Sequence, residues 1–233
     1  MRALAALVHV FTALGAVAAL MALLAVADQR WEVAFVWLGI GFIIDGIDGI
    51  DGPFVRAVRI DEQLPRFSGE RIDLVVDYLT YVFVPAFALI SGGYLTGTWG
   101  LVLAAGILLS SLFHFSDQES KAEDNSFVGF PAIWNIVAFY IFVMQPDVVT
   151  AQVVILALIA LTFTPTKWVH PVRVAALQGP TLLATGIWAL AAVAATWIGF
   201  GGVPMLVKAA LWGVAFYGIG LTIWTSMRRQ SPC

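Results

Sequence analysis

The residues of this 233-residue chain whose types and spacing suit chemistry lie between positions 45 and 77. The run Asp45-Gly-Ile-Asp48-Gly-Ile-Asp51-Gly52-Pro53 is followed by Arg56 and, after twelve further residues, by Gly69, Asp73 and Asp77. On helices, Asp48 and Asp51 at i, i+3 share one face, and so do Asp73 and Asp77 at i, i+4. Four carboxylates from two adjacent helices can converge on a common centre. All-oxygen ligation of this kind suits Mg²⁺, Mn²⁺ or Ca²⁺ over Zn²⁺ or copper. Four negative charges more than neutralise one divalent ion, and two ions clamping a phosphate is a recurrent arrangement for in-line displacement. Gly49, Gly52 and Gly69 remove side chains beside the aspartates, so a bulky ligand can approach the backbone, and Arg56 offers a bidentate donor to phosphate oxygens.

The elements that must position these residues are set by composition. Hydrophobic residues make up 61% of the chain and charged residues only 12%, against about 25% charged in a soluble domain. The chain is expected to be an all-α, polytopic integral membrane protein. A β-barrel would alternate apolar and polar residues, whereas these runs are apolar throughout. A net charge of -3, with arginines in local clusters, argues against nucleic-acid binding. The single cysteine, Cys233, has no partner within the chain for a disulfide or a Cys metal site.

A spanning helix needs roughly 20 apolar residues. Division of the uncharged stretches at their Gly/Pro breaks predicts eight transmembrane helices: Ala3–Ala27, Glu32–Phe54, Ile72–Ile90, Gly97–Phe115, Gly129–Gln145, Val148–Pro165, Pro180–Phe200 and Pro204–Met227. The first run ends in Ala-Val-Ala, as a cleaved leader does. Its 25 uncharged residues exceed a leader's apolar core, so a retained helix is expected. An even number of spans puts both termini on one side. With the N-terminus cytoplasmic, ten basic residues (Arg2, Arg56, Arg59, Arg66, Arg71, Lys121, Lys167, Arg173, Arg228 and Arg229) fall inside and two, Arg30 and Lys208, outside. The expectation is one transmembrane domain over residues 1–233, with its active site facing the cytoplasm. The stretch from Arg56 to Arg71 reads equally as a short interfacial helix or as a solvated loop.

The second helix has only twelve uncharged residues, Val33 to Ile44, before its aspartates, and the third has fifteen, Tyr78 to Gly92, after Asp73 and Asp77. These apolar parts cover about 18 and 22 Å of a core about 30 Å thick. The aspartates must complete the spans. An uncompensated carboxylate there costs on the order of 2.5–3.5 kcal/mol, so something has to compensate them.

The order Asp48-x-x-Asp51-Gly52-x-x-Val55-Arg56, then Gly69-x-x-x-Asp73-x-x-x-Asp77, resembles the motif of the CDP-alcohol phosphatidyltransferases. The family usually has Ala-Arg where this chain has Val55-Arg56, and a shorter spacer. In this register Asp45 is an extra carboxylate outside the pattern, at the helix end or behind the ligands. The long spacer, the eight spans and the run from Phe113-His114-Phe115-Ser116-Asp117 to Pro131-Ala132-Ile133-Trp134-Asn135 are similar to the family's bacterial phosphatidylcholine synthase branch. The resemblance implies attack of free choline on the β-phosphorus of CDP-diacylglycerol with release of CMP, in the bacterial inner membrane. It implies Asp48, Asp51, Asp73 and Asp77 as ligands of Mn²⁺ or Mg²⁺, two ions in all. It makes Asp77 the general base, and assigns Gly52, Arg56 and Gly69 to CDP-diacylglycerol. It also implies a homodimer.

Choline's quaternary ammonium has no N–H, so aromatic faces and a nearby negative charge must recognise it. Tyr78, Tyr81, Asp117, Glu123 and Trp134 are the leading candidates, although most of the nine Trp and sixteen Phe of a membrane chain pack or face lipid. His9 and His114 read as packing residues. Arg66 and Arg71 either orient a lipid phosphate or face anionic headgroups, and Lys167 and Arg173 read as topology signals. Two other readings remain open. One keeps the chemistry with serine, glycerol 3-phosphate or inositol phosphate as acceptor; the other is a carboxylate-lined divalent cation transporter.

Overall fold

A computed structural model of the chain describes residues 2–50, 66–119, 126–168 and 178–228, without the side chains of residues 2, 4, 5, 48–50 and 228. The described residues are mostly helical and fall into two units by contact: residues 1–93 with 134–138, and 94–133 with 139–233.

In the first unit, α1 (Arg2–Ala27) and α2 (Trp31–Ile50) form a helical hairpin. Gln29 closes α1 in the left-handed region at φ 57°. The Arg30 N–H donates to Ala25 O at 2.8 Å and the Gln29 N–H to Val26 O at 2.9 Å, the double bond of a Schellman end. Ser68 caps α3 (Gly69–Asp77), its hydroxyl accepting from the Arg71 N–H at 3.3 Å. The chain then runs through a π-helical turn, Tyr78–Phe83, into α4 (Val84–Ser91) without leaving the helix axis. Pro85 supplies the reason for the turn. It has no N–H to give Tyr81 O, and its ring crowds that carbonyl. The ladder widens ahead of it, the Val84 N–H reaching back five residues to Leu79 O. Close approach comes from small residues. A Cβ on Gly15 of α1 would collide with Val76 of α3, and one on Gly41 of α2 would lie 3.0 Å from Thr80 Cγ2.

The second unit contains α5 (Gly97–Ser116), β1 (Phe127–Val128), most of α6 (Trp134–Met144), α7 (Val148–Thr162), β2 (Lys167–Trp168), α8 (Gln178–Ile198), a 3₁₀ turn at Phe200–Gly202 and α9 (Met205–Arg228). Asp147 caps α7 by accepting from Thr150 N at 2.9 Å and Thr150 Oγ1 at 2.6 Å. The Thr150 bonds hold its carboxyl below the usual carboxylate range. Phe139 gathers Trp188 and Phe200 with ring centroids about 6 Å away, and Tyr140 Oη donates to Leu211 O at 2.8 Å.

Among the described residues eight helical segments fall within the apolar runs, counting Gly69–Ser91 as one. Among the described residues five of these are long and apolar enough to cross a membrane: Ala6–Ala27, Gly69–Ser91, Gly97–Ser116, Gln178–Ile198 and Met205–Met227. The expected span Gly129–Gln145 shortens to an 11-residue helix. Gly129, at φ 80°, packs its backbone against the Thr162 carbonyl where a Cβ would collide. Its N–H donates to Thr166 O at 2.8 Å, and that of Phe130 to Leu161 O at 3.2 Å. Residues 127–130 thus pair with 161–168 instead of joining the helix, and α6 begins only after Pro131 and the left-handed Ala132. Of the Arg56–Arg71 stretch, residues 56–65 lie outside the described set, and Arg66 and Phe67 form a turn before the Ser68 cap.

In the first unit, His9, about two turns from the start of α1, lies against Gly69, close to Arg66 and Arg71 in sequence. In the second, the Lys167 N–H donates to Ser226 Oγ at 3.0 Å, near the α9 end that carries Arg228.

Candidate metal centre

Two helices of the first unit build the centre. Near its end α2 carries Asp45, and Asp73 and Asp77 lie one turn apart on α3. Each of the three half-buried residues offers a carboxylate oxygen, and these oxygens all lie within 4.8 Å of one another. Three carboxylate oxygens with no nitrogen or sulfur fit a hard divalent cation such as Mg²⁺ or Mn²⁺. Like charges brought this close in a partly buried site repel strongly, and a divalent cation offsets that repulsion.

Tyr81 closes the site. It lies four residues beyond Asp77 in the π-helical turn, is only 7% exposed, and its hydroxyl donates to an Asp45 carboxylate oxygen. Its ring packs on Phe42, with centroids 6.1 Å apart. The π turn therefore sits where a side chain must be aimed across to a facing carboxylate, a common setting for such turns.

Of the aspartates assigned from the motif, Asp73 and Asp77 are brought together. Asp48 lies on α2 one turn beyond Asp45, with its side chain outside the described set, and Asp51, Gly52 and Arg56 lie outside the described residues, as does Glu123. Asp45, which the motif register sets apart, has its carboxylate beside those of Asp73 and Asp77. Its spacing carried the signal: at i, i+3 from Asp48 it shares that residue's helix face. The open side of Gly69 faces His9, whose Cε1 would lie 3.2 Å from a Cβ there. Tyr81, named as an aromatic for choline, has its hydroxyl engaged by Asp45, while Tyr78 is half-buried at the start of the π turn. Trp134 is fully buried. In the second unit, Asp117 accepts the Glu119 N–H at 2.9 Å and lines a pocket of about 280 Å³ with Phe113, His114 and Phe163.

No family model matches the chain. Among curated proteins it is 44% identical over 190 residues to phosphatidylcholine synthase of Bradyrhizobium diazoefficiens, covering 82% of this chain and 70% of that protein. It is 39% identical over 224 residues to phosphatidylcholine synthase of Pseudomonas aeruginosa, covering 95% and 91%. With phosphatidylcholine synthase of Rhizobium meliloti it shares 38% identity over 217 residues, covering 93% and 89%. At these identities, over nearly the whole of two such proteins, the chain belongs to the phosphatidylcholine synthase family.

Proposed function

We propose that the chain transfers the phosphatidyl group of CDP-diacylglycerol to free choline, forming phosphatidylcholine and CMP. The observation that carries this reading is the identity of 38–44% to phosphatidylcholine synthases along most of the chain, and the three-carboxylate centre supports the mechanism.

Asp45, Asp73 and Asp77, with Asp48 and Asp51 as their motif positions imply, hold Mn²⁺ or Mg²⁺. The metal, when bound, neutralises charge on the diphosphate and on the departing CMP. Arg56 holds diphosphate oxygens, and Gly52 and Gly69 keep the backbone open beside the nucleotide. Asp77 accepts the proton of the choline hydroxyl as its oxygen bonds to the β-phosphorus. The bond from that phosphorus to the bridging oxygen breaks, and CMP leaves with the electron pair. Tyr81 holds Asp45 in place through its hydrogen bond, which leaves Asp77 to do the proton transfer. Choline calls for an aromatic face beside the centre; of the sequence candidates in the first unit, half-buried Tyr78, next to Asp77, fits that role, whereas Trp134 is fully buried. In this reading the chain has eight spans and cytoplasmic termini in the inner membrane, and the aspartates open to the cytoplasm.

The test is CMP release by purified protein in vesicles containing CDP-diacylglycerol and Mn²⁺, offered choline, serine, glycerol 3-phosphate or inositol phosphate separately. Choline alone is expected to support turnover. Turnover with another alcohol and none with choline would overturn the acceptor and leave the phosphatidyl transfer standing.

A further inference from the structure

The same helix that carries Asp73 and Asp77 presents a second surface. An open groove of about 700 Å³ runs between α1 and α3, lined along its floor by Ala13, Ala16, Ile72, Val75 and Val76, with Arg66, Ser68, Glu70 and Arg71 at its polar end. At about 100° per residue, the mean direction of Ile72, Val75 and Val76 on α3 lies some 120° from that of Asp73 and Asp77. The groove is therefore a different face from the metal centre. Its polar end coincides with the start of the candidate span Gly69–Ser91, and its floor lies within that span and within Ala6–Ala27.

Among the described residues the charges at the mouth do not balance. Among the described residues neither Arg66 nor Arg71 has an ion-pair partner, and both guanidiniums are exposed beside the single acid Glu70. Two guanidiniums at the level where a span begins, above an alanine- and valine-lined channel, match an amphiphile with an anionic head and an apolar tail. Ala13 and Ala16 are small, which leaves room for an alkyl chain over the floor.

We propose that this groove binds an anionic glycerophospholipid, its phosphate held by Arg66 and Arg71 and an acyl chain lying along Ala13, Ala16, Ile72, Val75 and Val76. Guanidiniums bind phosphate oxygens bidentately, and basic pockets between spanning helices select anionic headgroups. The occupant is a resident lipid, separate from the reacting one, and the site stands whether or not the chain transfers to choline.

Native mass spectrometry of the full chain, released from detergent after incubation with equimolar phosphatidylglycerol and phosphatidylcholine of matched acyl chains, tests this. The wild type is expected to retain phosphatidylglycerol preferentially. Arg66→Gln/Arg71→Gln, which alters only exposed side chains, should reduce that preference by roughly 10- to 30-fold. Ala16→Phe should lower retention by filling the floor; if it fails to fold, the arginine pair decides alone. Excess inorganic phosphate should leave the lipid in place. Equal retention of the two lipids by the wild type, an unchanged preference in the arginine double variant, or displacement by phosphate would each overturn the proposal.

Discussion

Along the most apolar stretch of Gly69–Ser91, 50% of residues are buried inside the protein, against 17% in Gln178–Ile198 and 17% in Met205–Met227, though the three are nearly equal in hydropathy. One side of the first packs against protein in its own unit, touching α1 through Val76 and α2 through Thr80. In the other two, large side chains such as Leu190, Trp197 and Phe216 stand exposed at 75%, 91% and 65%, as lipid-facing residues do. Hydropathy sees only that a helix avoids water. What separates the two kinds is the polar stripe: Asp73, Asp77 and Tyr81 recur at i, i+4 and i+8 on one face, a pattern that would be costly against lipid.

The contrast is sharpest at Asp77. Asp77→Asn keeps size and shape but cannot take a proton, so choline-dependent CMP release should fall by at least about 10²-fold in protein that still elutes as the wild type does. Activity within a few-fold of wild type would remove Asp77 from proton transfer.

A smaller effect is expected at Tyr81. Tyr81→Phe leaves the ring against Phe42 and removes only the bond to Asp45, and loss of such a supporting contact typically costs 10- to 100-fold in metal affinity or activity. A variant with unchanged Mn²⁺ dependence would show that the π turn does not serve the centre. The smallest effect belongs to the lipid-facing helices: Leu190→Ala on α8 should change stability by no more than about 0.5 kcal/mol, read as the thermal midpoint in detergent. A large loss there would mean that the exposed face is covered in the membrane by another protein surface.

Much of this architecture was legible in the sequence because long uncharged runs leave few alternatives. The turn at Ser91-Gly92-Gly93 is where the glycines put it, with Gly93 at φ 79°. Three features were not read. The π turn has no periodic signature of its own, and Pro85 marks only that some ladder bond must fail. The late start of α6 depends on Gly129 pairing across to the 161–168 segment, a long-range contact that an apolar run does not encode. Asp45 stands outside the motif register, so its approach to Asp73 and Asp77 follows only from helix geometry, its i, i+3 spacing to Asp48 placing both on one face.

The central claim is that carboxylates of α2 and α3 form one metal centre. Electron paramagnetic resonance of free Mn²⁺ titrated into the purified protein, without lipid substrates, tests it directly. The wild type should take up Mn²⁺ saturably, and Asp45→Asn, Asp73→Asn and Asp77→Asn should each weaken uptake by about tenfold or more, while Glu32→Gln at the far end of α2 should not. Equal uptake by the wild type and all three aspartate variants would contradict it.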